Sequence, residues 1–234
     1  MRAPLLTLSD IENLCFDVVG TLVDDDSAFS AAADRLAAVC AIDRPAALRT
    51  RWEENLDDRM SAVIAGQSAW RPHRELVVKA ARHAIGSFGA PTSLETDAIA
   101  SALVTQYQAW PDVEEGTARL SRHLLVAGVS NADVSSLARL AQANRISWHL
   151  ALSTGAVGTF KPARAAYQFA IDALSVDPAR TLFVAAHPWD LRAAAEHGFR
   201  TAYIRRPNAE RPSEQDSFDV EADDLLMLCD ILGV

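Results

Sequence analysis

Four short stretches of this chain hold side chains whose types suit nucleophilic displacement. In Phe16-Asp17-Val18-Val19-Gly20-Thr21 a carboxylate closes an apolar run, and the glycine turn behind it leaves backbone N–H groups around that carboxylate. Such an aspartate can attack an electrophilic carbon, although one aspartate before a glycine also reads as the cap of a turn. Ser130-Asn131 bring a hydroxyl and an amide to the end of a second apolar run, or else cap the helix that follows. Lys161-Pro162 bring an ammonium to a helix start, where proline is ordinary. His187 and Asp190 follow the run Phe183-Val184-Ala185-Ala186, and each alone reads as a cap. Taken in order, the four supply a nucleophile, hydroxyl and amide donors, a cation to keep the nucleophile ionised, and a second carboxylate.

These groups cooperate only if the strands that carry them end at one edge of a sheet. Apolar runs at 14–19, 124–129, 149–152, 181–186 and 200–204 read as buried strands. Amphipathic stretches at 113–123, 134–143, 163–174 and 191–197 read as helices, the last stopped by Gly198. Alternation of this kind predicts an α/β fold, a Rossmann-like parallel sheet covered on both faces. Residues 27–107 lack a convincing strand and read as four helices at 28–40, 45–62, 74–88 and 94–108. The expected architecture is a core domain of residues 1–26 and 108–234 with a helical cap domain, 27–107, inserted after the first strand. Such a cap sits over the carboxyl ends of the strands, where open parallel sheets bind ligands.

The 234 residues, 50% hydrophobic and 23% charged, fit a globular protein and no fibrous or disordered class. A net charge of −9 would repel a polyanion, so nucleic acid is not an expected partner. No apolar run approaches the roughly 20 residues that span a bilayer, and residues 1–10 show no basic stretch followed by an apolar core. A cytoplasmic protein without membrane partners is expected. Cys15, Cys40 and Cys229 form no CxxC pair and read as reduced core residues.

The order FDxxGTL, SN, KP and a strand closing on FVAAHPWD resembles the haloacid dehalogenase superfamily over nearly the whole chain. With Tyr167 after Lys161-Pro162, the sequence is most similar to the L-2-haloacid dehalogenase (type II) branch. The resemblance implies Asp17 as nucleophile, surrounded by Thr21, Ser130, Asn131, Lys161, Tyr167 and Asp190, with no cofactor, a small-molecule substrate and, as in many relatives, a homodimer. His187 stands where those dehalogenases carry asparagine or histidine, and as base, donor or packed polar group it has more than one reading. Phosphatases of the superfamily carry a second aspartate two places after the nucleophile, to protonate an alkoxide, where this chain has Val19. Their acidic magnesium-binding motif is here Ala185-Ala186-His187, which leaves Asp190. A halide departs as a stable anion and needs no proton. The expectation is therefore a metal-independent hydrolase that cleaves a carbon–halogen bond of a short 2-haloacid through an aspartyl ester, with phosphatase and catalytically silent readings behind it.

One stretch departs from the branch. The dehalogenases place a cap arginine beside a tryptophan near the substrate, and in Arg49-Thr50-Arg51-Trp52-Glu53-Glu54 the residue after Trp52 is Glu53. A buried, unpaired carboxylate there would repel a haloacid by several kcal/mol. A shifted register would instead bring Arg49 or Arg51 to the substrate. Glu53 also suits a substrate with an ammonium beside its carboxylate, and azetidine-2-carboxylate hydrolases, similar in fold and nucleophile, open such a strained amine. Trp110 and Trp189 are candidates for an apolar pocket wall, though tryptophans commonly just pack.

Overall fold

The structure, a computed structural model, describes residues 7–234, so the part of the core assigned to residues 1–6 lies outside the described residues. The chain enters through strand β1 (Asn13–Phe16) and a short β2 (Val23–Asp24). Four helices follow, α1 (Asp25–Cys40), α2 (Pro45–Ile64), α3 (His73–Ser87) and α4 (Leu94–Leu103), and then β3 (Gln108–Ala109). From there helices and strands alternate: α5 (Val113–Leu120), β4 (Leu125–Ser130), α6 (Val134–Asn144), β5 (Leu150–Ser153), α7 (Arg164–Leu174), β6 (Thr181–Ala185), α8 (Pro188–Glu196), β7 (Arg200–Ile204), β8 (Val220–Ala222) and α9 (Leu225–Leu232).

The main sheet runs β5-β4-β1-β6-β7-β8, and every pair in it is parallel. Strand β1 is central because Leu14, Cys15 and Phe16 are apolar on both faces and fully buried, as a strand covered by helices on each side must be. Its neighbours flank it in register, Leu14 opposite Val126 and Leu182. The chain lays β4 and β5 on one side of β1 and then crosses to β6, β7 and β8 on the other, so a crevice opens at the carboxyl ends of β1, β4 and β6. The strand expected to run to residue 19 stops earlier, because the N–H groups of Leu22 and Val23 both turn back to the Val18 carbonyl.

Over that crevice stand α1 to α4. Asp24 caps α1 by accepting from the Ser27 N–H at 3.1 Å, with Asp25 and Asp26 in the positively polarised first turn. Trp52 fills the interior between these helices, edge-on to Phe29 at 5.1 Å, with its indole N–H donated to the Val77 carbonyl at 2.9 Å. Two ties join the helices to the sheet. The antiparallel β2–β3 pair sets Val23 beside Ala109 where the chain leaves and returns, and the helix expected to reach residue 108 ends at Leu103 so that this segment can extend. Asp133, before α6, accepts the N–H groups of His73 and Arg74 at the start of α3, each at 3.0 Å. Strand β8 and helix α9 were not expected from the sequence, and no helix among the described residues is long and apolar enough to cross a membrane.

Candidate active site

Asp17 lies one residue beyond β1, its N–H still donated to the Val184 carbonyl of the neighbouring strand at 2.9 Å. Thr21 hydrogen-bonds Asp17 Oδ2 at 2.6 Å, and the direction of that bond is fixed: its oxygen already accepts the Ala186 N–H at 2.9 Å, so its one proton goes to the carboxylate. Asp17 Oδ1 accepts from Lys161 Nζ at 2.7 Å. The same ammonium reaches Asp190 Oδ2 at 2.5 Å, and Tyr167 donates to Asp190 Oδ1 at 2.6 Å. Asp17, Lys161 and Asp190 are all at least 96% buried.

One ammonium between two buried carboxylates separates their proton affinities. Burial pushes the Asp17 carboxyl up, but the Lys161 charge, then His187 and the hydrogen bonds from Lys161 and Thr21, hold it below the usual carboxylate range. Burial dominates at Asp190 and, with repulsion from Asp17, keeps it above that range despite Lys161. Lys161 loses to burial and gains more from its two anionic partners, so it stays a cation. Asp17 is thus the more acidic of the two carboxyls, as suits a nucleophile.

Asn131 and Gly20 set the frame. The Asn131 side-chain oxygen accepts the Lys161 backbone N–H at 2.7 Å and the Thr154 hydroxyl at 3.1 Å, and its amide donates to the Lys161 carbonyl at 3.3 Å. Expected to bind substrate, it is largely spent on holding Lys161 in place. Gly20 has φ +82, and a Cβ there would lie 2.5 Å from His187 Nε2, so only glycine admits the histidine beside the nucleophile. His187 Nε2 lies 3.1 Å from the Val19 carbonyl, which can only accept, so Nε2 carries a proton. Nε2 is 3.7 Å from Asp17 Oδ2, and the ring stacks on Trp189. Ser130 Oγ accepts the Ala132 N–H at 3.2 Å, which frees its own proton for a ligand.

These groups floor a cavity of about 430 Å³ between the sheet edge and the helices. Of the residues expected at the site, Asp17, Ser130, Asn131, Lys161, His187, Trp189 and Glu53 line it. Thr21, Tyr167 and Asp190 stand behind the lining and hold it. Two of the expected residues lie outside this lining. Arg51 points to solvent with its side chain 66% exposed and Glu54 at 4.0 Å, because it stands about 200° around α2 from Glu53, and the face that turns Glu53, Leu56, Asp57 and Met60 to the cavity leaves Arg51 outside. Trp110 lines a separate cavity of about 200 Å³, where Arg206 lies over its ring at 5.5 Å.

Further groups border the site. Asp25, Asp57, His73 and Tyr107 line the main cavity. Arg206 donates to the Thr21 carbonyl at 2.8 Å and holds Asp112 through two bonds at 2.8 and 3.0 Å, which steadies the turn after the nucleophile from below. A divalent cation does not suit this donor set. The Lys161 ammonium already stands between Asp17 and Asp190, and Val19 offers no third carboxylate.

Residues 11–198 match the haloacid dehalogenase-like hydrolase family. Over 200 residues the chain is 30% identical to (S)-2-haloacid dehalogenase 4A of Burkholderia cepacia, a match covering 82% of this chain and 81% of that protein. Among solved structures, the L-2-haloacid dehalogenase PA0810 superposes with a TM-score of 0.84 at 26% identity, covering 95% of this chain and 99% of that one. The L-2-haloacid dehalogenase from Xanthobacter autotrophicus shares the fold at a TM-score of 0.82 and 20% identity, over 95% of this chain and 98% of that one. The chain belongs to the haloacid dehalogenase-like hydrolases.

Proposed function

We propose that this protein displaces halide from a short 2-haloacid through an ester of Asp17, with residues 27–107 acting as the cap that closes the site. The observation that carries the reading is an ionised Asp17, fixed by Lys161 and Thr21 at the floor of a cavity whose position 19 holds valine in place of an acid. A carboxylate oxygen of Asp17 attacks the substituted carbon in line; the carbon–halogen bond breaks and its electron pair leaves with the halide. Water then adds to the Asp17 carbonyl carbon, the 2-hydroxy acid departs, and the carboxylate returns. Lys161 and the Ser130 hydroxyl are positioned to take up charge on the oxygens as it develops. We assign the proton of that water to His187, which lines the cavity and whose Nδ1 makes no hydrogen bond among the described residues. Asp190 has both oxygens engaged and lies behind Lys161, so its part is to hold the ammonium.

The test is halide release from chloro-, bromo- and fluoroacetate and from L-2-chloropropionate, with mass spectrometry of the Asp17 peptide after a single turnover. Halide release with an Asp17 adduct, both indifferent to chelators, is expected. Phosphate release from simple esters with strong magnesium dependence would overturn the reading. In a His187→Gln variant the adduct should accumulate, since only its hydrolysis uses the histidine as base.

A further inference from the structure

The cavity wall opposite Asp17 is anionic and unbalanced. Glu53 and Asp57 stand one turn apart on the inward face of α2, a like-charge spacing that costs a helix stability, and Asp25 joins them from the start of α1. Among the described residues Asp25 and Asp57 take part in no ion pair. Glu53 shares Arg49 at 2.9 Å, but that guanidinium is also held by Asp26 and Ser30, each at 2.5 Å, and lines the smaller cavity instead of this one. Among the described residues Lys161 is the one lysine or arginine lining the main cavity, and its charge is committed to Asp17 and Asp190. Burial, then the negative charges of Glu53 and Asp58, raises the Asp57 carboxyl; burial also raises Asp25, with Asp17 and Asp24 adding to it against His187.

Two further side chains border this space. Tyr107 is 2% exposed and lines the cavity. His73 is 7% exposed, lines the same space, and has a buried Nδ1 without a partner among the described residues. Buried polar groups are seldom left in that state unless something else completes them.

We propose that the substrate is a short carboxylic acid that also carries a protonated amine, with the ammonium on the Asp25, Glu53 and Asp57 wall and the carboxylate toward the Ser130 hydroxyl. The inference rests on the reading of Asp17 as nucleophile and narrows its substrate. Two kinds of molecule share this chemistry. In a 2-halo acid with an amine further along, Asp17 forms a C–O bond, the carbon–halogen pair leaves with the halide, and the ammonium is a handle. In a strained cyclic amino acid, Asp17 forms the C–O bond while the ring C–N bond breaks. Its electron pair goes to the ring nitrogen, already protonated, which leaves as a neutral amine on the same chain.

The test compares L-2-chloropropionate, 4-amino-2-chlorobutyrate and azetidine-2-carboxylate on the whole enzyme, and repeats the panel with Glu53→Gln, Asp57→Asn and the double variant. At least one amine-bearing acid is expected to exceed L-2-chloropropionate in kcat/KM by about 100-fold, as two charge contacts would give. The double variant should lose that preference through KM, while KM for L-2-chloropropionate falls. Halide release from 4-amino-2-chlorobutyrate, or ring opening of azetidine-2-carboxylate, identifies which kind is used. Calorimetry with Asp17→Asn, which binds without turning over, should show both amines binding about 100-fold tighter than L-2-chloropropionate. Equal or better use of L-2-chloropropionate, or a preference that survives the double variant, overturns the inference while leaving Asp17 chemistry intact. Absence of any Asp17 adduct with all three acids overturns the underlying reading instead.

Discussion

At the sheet edge two buried carboxylates share one buried ammonium, while on α1 and α2 three carboxylates face the same cavity with an arginine behind only one of them. The first group is closed: Asp17, Lys161, Asp190, Tyr167 and Thr21 satisfy one another before any substrate arrives. The second is open, with like charges side by side and a buried His73 Nδ1 that has no partner among the described residues. The difference separates two tasks. A nucleophile must be charged and correctly aimed in the empty enzyme, so its partners are built in. A selecting wall gains discrimination by leaving its complement to the substrate.

The comparison breaks most sharply at its centre. Asp17→Asn should lower turnover by on the order of 10⁴-fold or more, because the amide is a poor nucleophile in an otherwise unchanged frame; halide or amine release at near native rate would mean that Asp17 is not the attacking group. Lys161→Met should be less selective in its damage. It leaves Asp17 and Asp190 buried together without their cation, at a cost of about 3–5 kcal/mol in unfolding free energy by urea titration as well as most of the activity. A Met variant of full stability would show that the closed group is not held by charge.

A smaller effect is expected one layer below, where Asp112 pairs with Arg206 and accepts the Leu225 N–H at 2.7 Å. Burial pushes the Asp112 carboxyl up, but the Arg206 hydrogen bonds and charge, followed by that N–H, hold it below the usual range. Its folded pKa is depressed, so its stabilisation is present above the unfolded value near 3.9 and is lost as pH falls through the folded one. Asp112→Asn should cost about 2–3 kcal/mol near neutral pH. Urea titrations from pH 7 to pH 3 should show the gap between the two proteins constant down to about pH 5 and closing below about pH 4. A gap that widens on acidification would reverse the assigned sign.

The closed group was legible in the sequence because its two carboxylates follow strands, where a local pattern marks them, Asp17 before Gly20-Thr21 and Asp190 after β6, while Lys161 was marked by the proline behind it and Tyr167, inside α7, by the family resemblance alone. The parallel sheet then brings those ends together whatever the intervening residues are. The open group had no such marker. Asp24, Asp25 and Asp26 are identical in type and adjacent, and only the tertiary path shows that Asp24 caps α1, Asp25 faces the main cavity and Asp26 holds Arg49. His73 is one histidine at a helix start, and its place depends on the contact between α3 and Asp133, 60 residues away. Strand β8 was missed for a different reason, since a three-residue Val-Glu-Ala strand is too short to show a period.

The smallest expected effect bears on the residue where sequence and structure disagree. Trp52 is the anchor of α2, and one buried residue fixes the rotation of the whole helix, so Glu53 must face the cavity if Arg51 faces water. Arg51 meets Glu54 at 4.0 Å with both side chains more than half exposed, a pair of the kind that contributes little. Arg51→Ala should therefore change unfolding free energy by less than about 0.5 kcal/mol and leave KM within about twofold for every acid in the panel. A tenfold rise in KM for L-2-chloropropionate would instead place a guanidinium over the nucleophile, rotate Glu53 out of the cavity and remove the distinction between the two carboxylate groups.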